Sequence, residues 1–183
     1  MPEAGPNFGQ TREGRGWTPA AVPRWGGRLA GGVILLAVVA AYANSFSAPF
    51  VYDDLKSVTL NPSIRHLWPP GPVLTPPPGA GLGGRPLANL SFALNYALGG
   101  EAVWGYHAVN LAIHGLAALT LFGVVRRTLL RPVLGRRFGS AALALAWAVA
   151  IIWALHPLQT EAVTYISQRT ESLMGLCYLL ALY

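Results

Sequence analysis

Two carboxylates stand side by side in Phe50-Val-Tyr-Asp53-Asp54, a few residues after an uncharged apolar run. Adjacent acids can ligate a hard cation such as Mg²⁺ or Mn²⁺, or one of them can act as a general base, because like charges this close perturb each other's proton affinity. The plainer alternative is a solvated turn or helix cap. A second polar group, from His156-Pro-Leu-Gln-Thr-Glu161 through Gln168-Arg169-Thr-Glu171, follows another apolar run. The spacing predicts one helix over 160–183, with Pro157 ending the run before it and Thr160 or Thr164 capping its start. Glu161, Thr164, Gln168 and Glu171 then make a polar stripe at helical spacing, with Arg169 beside it. An arginine at the edge of hydrocarbon snorkels, pairs with an acid such as Glu161 or Asp53, or grips a phosphate with its planar fork of donors. Within an apolar run, Tyr106, His107, Asn110 and His114 share a helical face and read as hydrogen-bonding glue between helices. His107 and His114 lack the i,i+4 spacing of a helical metal pair.

The elements that must position these groups are membrane spans. Of 183 residues, 53% are apolar and 11% charged, against roughly 45–50% and 25% in a soluble domain. That excludes a disordered chain, a collagen-like chain and an ordinary soluble globule. The single cysteine, Cys177, excludes a disulfide scaffold and a Cys-based zinc site. The net charge is +6, but the basic residues flank apolar runs, which favours a membrane over nucleic acid as partner.

Spans are expected at about 29–47, 104–125, 140–155 and 172–183. The third is short unless flanking residues contribute. The fourth is cut off by the end of the sequence, so the chain is expected to be the N-terminal piece of something longer. Lys plus Arg number 4, 3, 5 and 1 in the four polar segments, taken in chain order. This puts the N-terminus and residues 126–139 in the cytoplasm, with 49–103 and 156–172 outside or in a lumen. A cleaved signal peptide, with Ala41-Tyr-Ala43 as its processing site, is the alternative for the first run.

Residues 1–27 read as a disordered cytoplasmic tail and 68–84 as a Pro/Gly loop. Between the loop and the second span, apolar residues at 87, 90, 94 and 98 predict an amphipathic helix over 85–98, suited to lie in the membrane interface. Asn89-Leu-Ser91 matches a glycosylation sequon, but its place on that helix near the membrane argues against use. The fold class expected is all-α and integral to the membrane: a multi-span bundle truncated in its fourth span, with an interfacial helix in the first outer loop.

Several words of the sequence resemble a known family. Val51-Tyr-Asp-Asp54, Asn61-Pro-Ser-Ile-Arg65, Arg85-Pro-Leu-Ala-Asn-Leu-Ser91, Asn95-Tyr96, Gly105-Tyr-His-Ala-Val-Asn110, His114, and His156-Pro-Leu-Gln-Thr-Glu-Ala-Val163 through Gln168-Arg169 are similar to the N-terminal region of the transmembrane and tetratricopeptide-repeat proteins. These are GT-C-type O-mannosyltransferases and their bacterial relatives. The departure is length, since the family carries further spans and then helical repeats.

The resemblance implies a GT-C-like bundle that moves a sugar, mannose in particular, from a polyprenyl-phosphate donor to Ser/Thr hydroxyls of an acceptor protein on the non-cytoplasmic face. It implies Asp53 and Asp54 as base or metal partner, with Glu161 as a second acid. It implies Arg169, with Gln168 and Arg85, as the grip on lipid phosphate, and His107, Asn110, His114 and His156 as supporting polar groups. A divalent cation, held by Asp54 and Glu161, is the cofactor it leaves open. The competing expectations are a non-catalytic membrane scaffold or transporter-like subunit, and an inactive truncated gene product.

Overall fold

Away from water a chain must satisfy its own N–H and C=O groups, so long apolar runs become helices. The structure, a computed structural model, describes residues 24–76, 79 and 82–183. Its helices are α1 (Arg24–Tyr42), α2 (Gly71–Leu74), α3 (Pro86–Gly99), α4 (Val103–Leu129), α5 (Pro132–Phe138), α6 (Ala142–Ala154), α7 (Gln159–Thr164) and α8 (Arg169–Leu182), and no strand occurs among the described residues. The tail expected over 1–27 lies outside the described residues except for 24–27, which already belong to α1. The protein is an all-α membrane protein. Three helical runs are long and apolar enough to cross a bilayer: Trp25–Ser47, Val103–Leu129 and Pro132–Ala154. The third is longer than expected because α5 and a 3₁₀ turn at Gly139–Ala141 extend α6 backwards.

The 27 residues of α4 reach roughly 40 Å, beyond the ~30 Å of a hydrocarbon core. The other long helices pack on it. In α6, Ala142, Ala146, Ala150 and Ala154 recur every fourth residue and are all buried, a smooth ridge that lets backbones approach closely. Gly115 of α4 serves the same end, since a Cβ there would meet Leu35 Cδ2 at 2.9 Å. Side chains on the opposite faces, such as Leu29, Val33, Leu36, Val39 and Ile152, point outward. In a water-soluble bundle that pattern would be a fault; in lipid it is expected.

α3 forms where expected, with Pro86 in its first turn and Gly100 at φ 58° just past its end. Its leucine stripe faces away from the protein, as an interfacial helix with its apolar side in lipid requires. Leu87, Leu94 and Leu98 face outward, while Ala88, Asn89, Phe92, Ala93 and Asn95 face the protein.

The single helix expected over 160–183 is broken. α7 ends at Thr164, Tyr165 is extended (φ −87°, ψ 115°), a 3₁₀ turn covers Ile166–Gln168, and α8 begins at Arg169. Main-chain groups at the break bond both to one another, Tyr165 N–H to the Glu161 carbonyl and Gln168 N–H to the Tyr165 carbonyl, and to the distant side chains of Asp54 and Asn110. Neither Thr160 nor Thr164 caps α7; Leu158 occupies the cap, and the Thr164 hydroxyl donates to the Thr160 carbonyl.

Candidate functional site

The five acids of the described residues, Asp53, Asp54, Glu101, Glu161 and Glu171, all lie toward the N-terminal end of α4. Residues 44–52 and 157–165 meet there around an open cleft of about 760 Å³, lined by Asn44, Tyr52, Thr160, Glu161 and Tyr165 among others. Two long-range bonds tie the segments together. The Asp53 N–H donates to the Tyr165 hydroxyl at 3.0 Å, and the Ser167 N–H donates to Asp54 Oδ1 at 2.7 Å.

The adjacent acids are separated by their environments. Tyr52 holds φ 45°, a left-handed conformation unusual for a bulky residue, and the chain reverses there, with Val51 and Asp54 bonded main chain to main chain. Asp53 is exposed. Asp54 is 1% exposed, and its second oxygen accepts the Val51 N–H at 3.2 Å. Burial pushes the Asp54 pKa above the ordinary carboxylate value, with the bonds from Ser167 and Val51 opposing the rise. The expectation of two like, mutually perturbing carboxylates gives way to one exposed acid and one structural acid.

Arg169 is 0% exposed. Its Nε donates to Asn110 Oδ1 at 2.7 Å, Nη2 to the Tyr106 carbonyl at 2.9 Å, and Nη1 to the Ser91 carbonyl at 3.2 Å. The guanidinium also lies 4.2 Å from the Phe92 ring centroid. Among the described residues no carboxylate pairs with it. Neither the expected ion pair with Glu161 or Asp53 nor an open grip on a lipid phosphate fits this burial: Arg169 bolts α8 to α3 and α4. The Asn110 amide completes the bolt by reaching the carbonyls of Val163, Tyr165 and Ile166, each at 3.4 Å.

Arg85 is placed differently. It is exposed at the start of α3, its Nη1 lies 3.4 Å from Thr170 Oγ1, and it lines a second cavity of about 350 Å³. Leu87, Leu173, Met174 and Cys177 supply apolar wall there, and Glu171 lines it too. Residues 165–169 run between the two cavities, so the expected stripe is divided, with Glu161 on one cavity and Glu171 on the other. Gln168 is half-buried in the dividing segment.

The supporting polar groups act as glue between elements. His107 Nε2 meets the Ala48 carbonyl at 3.1 Å and His114 Nε2 the Ala154 carbonyl at 2.9 Å, so each of these nitrogens carries the proton. His156 does not join the site. It is exposed, its Nδ1 accepts the Leu158 N–H, and it lines a separate hollow with Trp153 and Gln159. Asn89 is 0% exposed and bonds Asn61, Ser63 and Val73; it is a structural strut, out of reach of glycosylation. No group of three or more His, Cys, Asp or Glu able to hold a metal occurs among the described residues. Asp54 and Glu161 do not fit as a cation site either, since both Asp54 oxygens accept main-chain N–H groups.

Residue types alone missed Ser91, Phe92, Tyr165 and the Ser167 N–H. Ser91 and Tyr165 lie inside the recognisable words of the sequence, but nothing in those words marks them as partners of Arg169 and Asp53.

Comparison with known proteins gives one consistent result. Protein O-mannosyl-transferase Tmtc1 of Drosophila melanogaster is 37% identical over 148 residues, which is 76% of this chain and 16% of that protein. Protein O-mannosyl-transferase TMTC1 of Mus musculus is 34% identical over 174 residues, 89% of this chain and 17% of that protein. Protein O-mannosyl-transferase TMTC2 of Homo sapiens is 34% identical over 156 residues, 79% of this chain and 17% of that protein. The chain thus spans about a sixth of the length of these relatives. No family model and no solved structure matches it.

Proposed function

Over most of its own length the chain belongs to the family of the TMTC protein O-mannosyl-transferases, and on that premise we propose that it supplies the acid-bearing part of a membrane glycosyltransferase. The enzyme moves mannose from a polyprenyl-phosphate donor to Ser/Thr hydroxyls of protein on the non-cytoplasmic face. The observation that supports this reading is the exposed Asp53 next to the cleft: it follows the lining residue Tyr52, its N–H is bonded to the hydroxyl of the lining residue Tyr165, and its buried neighbour Asp54 is bonded to the Ser167 N–H.

A Ser or Thr hydroxyl is a poor nucleophile at neutral pH. Asp53 is the general base: it takes the hydroxyl proton as the acceptor oxygen bonds the anomeric carbon, while the bond from that carbon to the donor phosphate breaks. Glu161, exposed on α7 at the same cleft, is the second acid. Arg85 is the residue placed to balance the charge of the departing lipid phosphate, with the apolar wall of its cavity facing the isoprenoid. Asp54 and Arg169 are positioning residues. The active side is the non-cytoplasmic one because arginines concentrate at the other end of α4.

The test is mannose transfer from a polyprenyl-phosphate donor to an acceptor peptide, by membranes carrying the full-length protein. Asp53→Asn is expected to reduce transfer by about 10²–10⁴-fold while membrane insertion persists, and Arg85→Gln to raise the KM for donor more than it lowers kcat. Unchanged transfer by Asp53→Asn would refute the base assignment.

A further inference from the structure

The opposite end of the bundle carries a cavity that the proposed reaction does not use. It measures about 400 Å³ and lies between α1, α4 and the end of α8. Gly27, Gly31 and Gly123 line it, and Arg126 and Arg127 stand at its head. The glycines matter for their missing side chains: a Cβ at Gly27 would sit 3.5 Å from Arg126 Nη1, and one at Gly31 would sit 3.3 Å from Leu119 Cδ2. Arg127 is braced by the Tyr183 ring, 3.5 Å from its guanidinium to the ring centroid. Among the described residues the Arg126 guanidinium has no hydrogen-bonding partner, whereas Arg127 Nη1 donates to the Tyr183 carbonyl at 2.6 Å; neither arginine pairs with an Asp or Glu side chain. Leu119 and Phe122 make the wall apolar toward the bilayer interior.

We propose that this cavity binds the phosphate headgroup of an anionic phospholipid, with Arg126 and Arg127 on the phosphate and an acyl chain along Leu119 and Phe122. An unpartnered Arg126 beside Arg127, which has only one of its donors on the Tyr183 carbonyl, leaves enough N–H groups for a monoanionic or dianionic phosphate. Their position at the end of an apolar groove suits an amphiphile over a free ion. Basic pockets between membrane helices take anionic headgroups in this manner. The inference is independent of the glycosyltransferase reading.

The experiment places the full chain in phosphatidylcholine nanodiscs and titrates phosphatidylglycerol, reading retained lipid by native mass spectrometry. The Arg126→Gln/Arg127→Gln variant is expected to lose roughly thirtyfold in affinity for phosphatidylglycerol, about fivefold per arginine. The charge-matched control Arg136→Gln/Arg137→Gln, at two exposed arginines outside the cavity, should change it by less than about threefold. Gly27→Leu keeps every charge but fills the groove, and is expected to lose binding as well; it carries the test should the double variant fail to insert. Equal losses in the control, or retention by Gly27→Leu, would overturn the site in favour of diffuse surface attraction. Displacement of the lipid by millimolar inorganic phosphate alone would reassign the cavity to a free anion and overturn the lipid.

Discussion

α4 holds arginines in opposite states at its two ends. Toward its N-terminus, Arg169 is sealed from water and lipid, its donors spent on the Asn110 side chain and on the carbonyls of Tyr106 and Ser91. Toward its C-terminus, Arg126 borders an open cavity with no hydrogen-bonding partner among the described residues, next to Arg127, which keeps a single bond to the Tyr183 carbonyl. The same side chain is a structural bolt in one place and a free anion receptor in the other. What separates the two roles is whether the protein itself supplies the acceptors. A buried guanidinium that has them is bound to the fold, while one that lacks them is available to something else.

The contrast is broken most severely at Arg169. Arg169→Ala leaves Asn110 Oδ1 and two main-chain carbonyls without their donor and empties the space beside Phe92. A loss of about 3–5 kcal/mol is expected, since three buried neutral acceptors are left unsatisfied at about 1–3 kcal/mol each. Arg126→Ala, at the open end, should cost less than about 0.5 kcal/mol. Thermal unfolding of both variants in the same detergent checks this, and similar shifts would erase the distinction. Arg169→Lys is no rescue, because one ammonium cannot reach three acceptors arranged for a planar fork.

How much of this was legible beforehand follows from the range of the interactions. Helices of span length cover the apolar runs at 29–47 and 104–125, while the third begins at Pro132 and not near 140. The run at 172–183 is covered as far as Leu182 by the 14-residue α8, and α3 matches the periodicity over 85–98. The buried face of α3 was not legible, since lipid accepts Leu87, Leu94 and Leu98 as readily as a protein core would. The break at Tyr165 was hidden for another reason. Its cause is Asp54, 113 residues from the Ser167 N–H it binds, together with Asn110. Residue type and spacing single out the acids and Arg169. Their division into an exposed Asp53, a buried Asp54 and a sealed Arg169 depends on main-chain partners that residue types do not reveal.

Asp54 sharpens the comparison through pH. Burial raises its native pKa above the ordinary 3.8, so folding favours the protonated carboxyl. That stability is fully present below 3.8 and is lost as pH rises through the native value. Asp54→Asn stays neutral, so the difference in unfolding free energy between wild type and variant should move against the wild type from about pH 3 to pH 6. At neutral pH the variant keeps one acceptor for Ser167 but presents an amide N–H₂ to the Val51 N–H, a loss of about 1 kcal/mol. A difference that is flat across the interval, or that moves the other way, contradicts the burial of this carboxyl.

The smallest effect belongs to an ion pair at the acid end that is not buried. Arg65 Nη1 meets Glu101 Oε1 at 2.9 Å, with the two side chains 23% and 47% exposed. If position along α4 governed energetics, this pair would matter as much as Arg169. If burial governs, Glu101→Gln should cost less than about 1 kcal/mol and the cost should vanish with added salt. Arg65 keeps its other partners in that variant, the carbonyls of Thr59 and Val58 and the Tyr96 ring 4.3 Å away. Unfolding of Glu101→Gln at low and high ionic strength therefore separates the two explanations. A large, salt-independent loss would mean that the acid end is tense throughout, and that Arg169 owes its importance to location and not to its missing solvent.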